Sequence, residues 1–116
     1  METLIEVNKK DENWILIFEF KWELDETNAD KTFKTIYDDI WEFSEKDIIL
    51  NLKGLKYLNS KSIWYIADVF SNVEDADRKM FITDCNDWVK DILELVGITT
   101  IIPTLDTEKD ALTELK

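Results

Sequence analysis

Residues 47–70, "DIILNLKGLKYLNSKSIWYIADVF", change their repeat midway, and that change decides the fold. "DIILNLK" (47–53) is a short apolar run of the kind found in buried strands, and Gly54 marks a turn. From there Ile63, Ile66, Ala67, Phe70 and Val73 recur at the three-and-four spacing of a helix face, ending in the charged run "EDADRK". Between strand and helix stand Asn59, Ser60, Lys61 and Ser62, and Trp64 falls in the helix's first turn.

The same alternation of periods extends both ways. Upstream, "TLIEV" and "NWILIFEF" flank a polar "NKKDEN" and read as a hairpin, with Trp14, Leu16, Phe18 and Phe20 on one face and Ile15 and Ile17 on the other. Ala29, Phe33, Ile36, Tyr37 and Ile40 then predict a first helix over 28–43, with Thr27 and Asp30 as a capping pair. Downstream, "MFITDC" is a core strand. "NDWVKDILELVG" is a helix with Val89, Ile92, Leu93 and Val96 on one face and Gly97 as its C-cap. "ITTIIPT" reads as a last strand, followed by a terminal helix capped by Asp106 or Thr107. The order β-β-α-β-α-β-α-β-α predicts an α/β fold: a mostly parallel sheet joined by right-handed crossovers, with an antiparallel N-terminal hairpin at one edge.

Composition bounds the function. At 116 residues the chain is expected to form a single domain over 1–116, because domains commonly run to roughly 100–150 residues. Twenty-six acids against fourteen bases give a net charge of −12, which argues against nucleic acid or an anionic membrane as partner. With no histidine and one cysteine, Cys85, there is no zinc cluster, intrachain disulfide or histidine-activated nucleophile, and no metal or cofactor is expected. Two glycines cannot make a dinucleotide fingerprint or a P-loop. The apolar runs are shorter than the roughly 20 residues of a membrane helix, and a cytoplasmic location is expected. Acidic pairs such as Asp38/Asp39, Asp75/Asp77 and Asp84/Asp87 read as solvated charges or caps, not a catalytic centre.

Three stretches at these separations, "WELDETNAD", "IILNLKGLKYLNSKSI" and "VKDILELVGI", resemble a STAS domain of the anti-sigma factor antagonist family. The resemblance implies a binding module and not an enzyme. Its partner would be an anti-sigma factor that is also a serine kinase, or another STAS protein. In the family's phosphorylatable members a hydrophobic strand leads into Asp-Ser-Ser/Thr-Gly, and the second hydroxyl accepts phosphate. Carried over, Asn59 takes the Asp position, Ser60 the first Ser, Lys61 the phosphoacceptor and Ser62 the Gly; lysine cannot serve a serine kinase. Some members have Asp-Ser-x-Ser-Leu-Gly, which "NSKSIW" matches at both serines.

Three readings of the motif follow. Ser60 or Ser62 takes over as acceptor, Lys61 offers a fixed positive group to an acidic partner, or the residues only cap a helix, as Asn and Ser commonly do. Asp25, in "WELD", matches an acidic family residue close to the acceptor; it reads equally as a ligand of the second helix's N-terminus or a cap for the first. The family pattern also places glycines where Trp22 and Trp64 stand, and Trp41 and Trp88 lie where a small or polar residue is expected, whereas Trp14 reads as ordinary core. The unusual tryptophans suggest core packing, an aromatic surface for a partner, or Gly-to-Trp engineering. If Trp64 were forced under its helix, overpacking would favour exchange of an element and a homodimer. The alternative function is a small-molecule or nucleotide binder with a tryptophan-lined pocket.

Overall fold

The computed structural model describes residues 1–116, and its elements follow the expected order. They are β1 (Ile5–Glu12), β2 (Ile15–Leu24), α1 (Ala29–Ile40), β3 (Asp47–Leu58), α2 (Ser60–Asp75), β4 (Met80–Thr83), α3 (Asp87–Leu95), β5 (Thr104–Leu105) and α4 (Glu108–Leu115). The strands form one sheet in the order β1-β2-β3-β4-β5, in which only the β1–β2 hairpin is antiparallel.

Alternation along the strands divides the core in two. Leu16, Phe18 and Phe20 of β2, with Ile48, Leu50 and Leu52 of β3, meet Phe33 and Ile36 of α1, Ile66, Val69 and Val73 of α2, and Val89 and Leu93 of α3. The opposite face buries a smaller cluster, Ile15, Ile17, Ile49 and Phe81, beneath Ala111 of α4. β2 and β3 are therefore apolar on both faces at their starts, as strands covered from both sides must be.

Several expectations need correction. Trp14 is not core: the two-residue turn Asn13–Trp14 holds φ values of +48° and +68°, and Trp14 is 69% exposed. A two-residue hairpin favours positive φ at both central positions, so the turn takes the residue that alternation assigned to the strand. Gly54 is not a turn either. β3 continues to Leu58, and Gly54 lies opposite Lys21 at a register shift, where an added Cβ would meet Lys21 Cγ and the Phe20 carbonyl at 2.9 Å. Thr27 and Asp30 form no capping pair. Asn28 stands at the N-cap position, and its buried amide instead bonds the Thr3 and Glu23 carbonyls and the Asp25 N–H at 2.8–3.0 Å.

α1 stops at Ile40, short of residue 43, with Trp41 at φ +30°. "ITTIIPT" is not a full strand: Gly97, at φ +84°, turns the chain into one 3₁₀ turn, Ile98–Thr100, and only Thr104–Leu105 joins the sheet. Val96 closes α3 as an exposed residue, so the buried stripe of that helix is Val89 and Leu93. Of the two caps considered for α4, Thr107 accepts the Asp110 N–H at 3.1 Å. No helix is long and apolar enough to cross a membrane.

Candidate functional site

β3 delivers its carboxyl end to α2, and the junction is tightly fastened. The Asn59 N–H donates to the Leu24 carbonyl at 3.1 Å, joining the end of β2 to the start of α2. Asn59 holds extended backbone (φ −96°, ψ 175°), and its side-chain oxygen accepts both the Ser62 N–H at 2.9 Å and the Ser62 hydroxyl at 2.7 Å. This satisfies one orphan donor of the helix start and pins the Ser62 side chain. Ser62 is fully buried. Ser60 is exposed, so the two hydroxyls that look equivalent in "NSKS" are not.

Lys61 sits in the first turn of α2, where the helix dipole disfavours a cation and where the helix has no acidic residue. Asp30, from the first turn of α1, compensates. Its carboxylate receives Lys61 Nζ at 2.8 Å on Oδ1 and 2.9 Å on Oδ2, and also accepts the Tyr65 hydroxyl. The hydrogen bond to Asp30 holds the Lys61 ammonium above its ordinary range, while bonds from Lys61 and then Tyr65 hold Asp30 below the usual carboxylate range. Tyr65 stacks on Phe33 with ring centroids 4.8 Å apart, and Tyr37 donates to Asp68 a turn further on. The outer seam between α1 and α2 is thus closed by polar clamps over an aromatic layer. Lys61 faces solvent as one half of an ion pair and not as a free charge.

Asp25 lies at the neighbouring end of β2. Its carboxylate accepts the Thr27 hydroxyl at 2.6 Å and the Thr27 N–H at 2.9 Å on one oxygen, and the Thr3 hydroxyl at 2.5 Å on the other. Those bonds, from Thr27 first and then Thr3, keep it below the usual carboxylate range. Its backbone carbonyl accepts the Ala29 N–H at 3.0 Å, so its bonds serve the start of α1. Its connection to α2 runs through the adjacent Leu24 carbonyl.

Trp64 projects from the same turn as Lys61 and is 76% exposed. Nothing of it lies beneath α2, so the overcrowding that would force an element exchange does not arise. Trp88, in the first turn of α3, stacks on Tyr57 near the end of β3, with centroids 5.6 Å apart. Trp22 is partly buried at φ +83°, in the left-handed region that favours glycine. The main depressions carry no tryptophan in their linings; the foremost, about 450 Å³, is lined by Glu6, Asn8, Glu19, Lys21, Asn51 and their neighbours. Burial pushes the thiol of the lone Cys85 up to about 11, which disfavours the nucleophilic thiolate.

Sequence reasoning missed Asp30 and Tyr65 as partners of Lys61. The four-residue spacing of Lys61 and Tyr65 on one helix face was the available signal. That Asp30 would face them depends on how α1 packs beside α2, which no local pattern states.

A mostly parallel five-stranded sheet with an N-terminal hairpin, and a capped helix start after its central strand, defines a small α/β module. The chain belongs to the STAS domain family, whose model matches residues 5–111. It is similar, at 26% identity over 112 residues, to the anti-sigma F factor antagonist of Paenibacillus polymyxa, with 97% of this chain and 96% of that protein covered. The crystal structure of an anti-sigma factor antagonist from Mycobacterium paratuberculosis has the same fold, with a TM-score of 0.87 at 17% identity over 97% of this chain and 94% of that one. An anti-sigma-factor antagonist (STAS) domain protein from Planctomyces limnophilus gives a TM-score of 0.84 at 16% identity, over 95% and 97% of the two chains.

Proposed function

We propose that this chain is an anti-sigma factor antagonist: a binding module, not an enzyme, whose first turn of α2 docks on an anti-sigma factor with serine kinase activity or on another STAS protein. The observation that carries the reading is Trp64, a large apolar side chain 76% exposed beside Ser60 on a helix start that Asn59 holds rigid. Exposed tryptophans on rigid elements are the residues most often found as binding hot spots. The relatives named above support the partner class.

The contact is constitutive. Lys61 occupies the position at which family members accept phosphate, and its ammonium is committed to Asp30. Ser62 is buried, and its hydroxyl is already donated to Asn59, so a kinase cannot present ATP to it without unwinding the helix start. Ser60 remains as an exposed hydroxyl that the complex covers. Calorimetric titration with the anti-sigma factor of the same organism tests the reading. Trp64→Ala weakens binding by about 2 kcal/mol or more, roughly thirty-fold, with melting unchanged. Trp41→Ala, at an exposed tryptophan ending α1, leaves affinity intact. Equal affinity for Trp64→Ala and the parent protein overturns it.

A further inference from the structure

α4 covers only one end of its face of the sheet, where Ile15, Ile17, Ile49 and Phe81 pack beneath Ala111. Further along β2 and β3 the same face carries Glu19, Lys21, Asn51 and Lys53, which line the open 450 Å³ depression. We propose that this uncovered end of the sheet, built on Lys21, Lys53, Lys56 and Trp22, is a second docking surface whose occupant is an acidic segment of a partner protein. The proposal does not depend on what α2 binds.

Charge carries the inference. The chain has 26 acids and a net charge of −12, and seven of its fourteen basic side chains are already paired with carboxylates: Lys9, Lys10, Lys31, Lys34, Lys46, Lys61 and Arg78. Lys21, Lys53 and Lys56 are exposed, lie together where β2 pairs with β3, and form no ion pair. Lys53 immediately precedes Gly54, the register partner of Lys21, and Lys56 follows it two residues on; a Cβ at position 54 would meet Lys21 Cγ at 2.9 Å.

The ammonium groups of Lys21 and Lys56 stand 5.7 and 5.2 Å from the centroid of the Trp22 ring, within cation–π range. That ring therefore gathers two like charges that would otherwise separate. Trp22 is held at φ +83°, a left-handed conformation strained for a residue with a Cβ, and its buried indole N–H has no partner. Of the two carboxylates lining the depression, Glu19 is engaged elsewhere, by Asn8 at 2.9 Å and by Lys10 at 3.3 Å. Glu6 faces Lys21 across the hairpin without ion pairing.

A protein segment fits this surface better than a nucleic acid. The lysines are spread along two strands, Glu6 and Glu19 stand among them, and the molecule as a whole repels a dense phosphate chain. Side-chain carboxylates spaced along a peptide can meet the lysines one at a time while avoiding the glutamates.

The test uses the full chain labelled with ¹⁵N, so that the five indole N–H signals report separately. Octaglutamate is titrated at low ionic strength against octalysine, inorganic phosphate and octathymidylate. The expected result is a saturable shift of the Trp22 signal with octaglutamate alone, leaving Trp14, Trp41 and Trp64 unmoved and fading as salt is added. The double variant Lys21→Gln/Lys56→Gln weakens binding about ten-fold, whereas Lys109→Gln/Lys116→Gln, on and after α4, does not. Several results overturn the proposal: no shift of Trp22, equal weakening in both double variants, or the same shift with phosphate (a small-anion site) or octathymidylate (a nucleic-acid site).

Discussion

Trp22 and Trp64 both stand where the family pattern expects glycine, yet the fold treats them oppositely. Trp22 lies inside β2, near its end, in a left-handed conformation, partly buried and with two lysine ammonium groups over its ring. Trp64 lies on a regular helix, unstrained in backbone and turned to solvent. The first position wanted glycine for its backbone; the second placed no such demand. A large residue at the second therefore adds exposed apolar surface without disturbing the core, and that added surface is the proposed docking point.

The widest separation between the two regions comes from the device that fixes the helix start. Asn59→Ala removes the cap and leaves the buried Ser62 hydroxyl without its acceptor, so stability falls by about 2 kcal/mol in chemical denaturation. A loss below a few tenths would mean that α2 does not depend on this cap.

A smaller effect, but a sharper one, is a reversal of preference. At position 22, Gly is more stable than Ala by about 1 kcal/mol, because both lose the ring and only Gly tolerates φ +83° without strain. At position 64, Ala is more stable than Gly by about 1 kcal/mol, because an exposed helix position sees mainly helix propensity. Thermal melts of the four variants decide it; the same order at both sites breaks the comparison.

The smallest effect is that of pH. Asp25 and Asp30 have carboxyls held below their ordinary values, so each contributes stability that is fully present above the unfolded carboxylate pKa of 3.8 and is lost as pH falls through the lower folded value. Asp30→Asn accordingly shows a shallower loss of stability on acidification below that point. Lys61 has the opposite sense: its raised pKa gives stability present below 10.5 and lost as pH rises through the folded value, and the same variant flattens that alkaline limb. Superimposable pH profiles for variant and parent would remove the clamp from the account.

Much of this architecture was legible because apolar periodicity is local. Phe33, Ile36 and Ile40 mark α1, and Ile63, Ile66 and Val73 mark α2, at the spacing that buries them. Trp14 and Gly54 misled for a common reason: each was read for its residue type, while the deciding quantity was backbone geometry set by a neighbouring strand. "ITTIIPT" misled because apolar β-branched residues also suit a 3₁₀ turn packed against the core, through Ile98 and Ile102.

At the site, the Asn59 cap follows from residue preference alone. The difference between Ser60 and Ser62 does not, since burial two residues apart depends on which side of α2 meets the sheet. The Lys61–Asp30 pair joins residues 31 positions apart and needed the packed helices to appear.

The most direct measurement concerns the proposed constitutive contact with a serine-kinase anti-sigma factor. The preformed complex with the serine-kinase anti-sigma factor is incubated with ATP and magnesium, then followed by size-exclusion chromatography and intact-mass spectrometry. The account predicts that the complex persists and the chain keeps its unmodified mass. Release of the chain carrying one phosphate on Ser60 or Ser62 would contradict it.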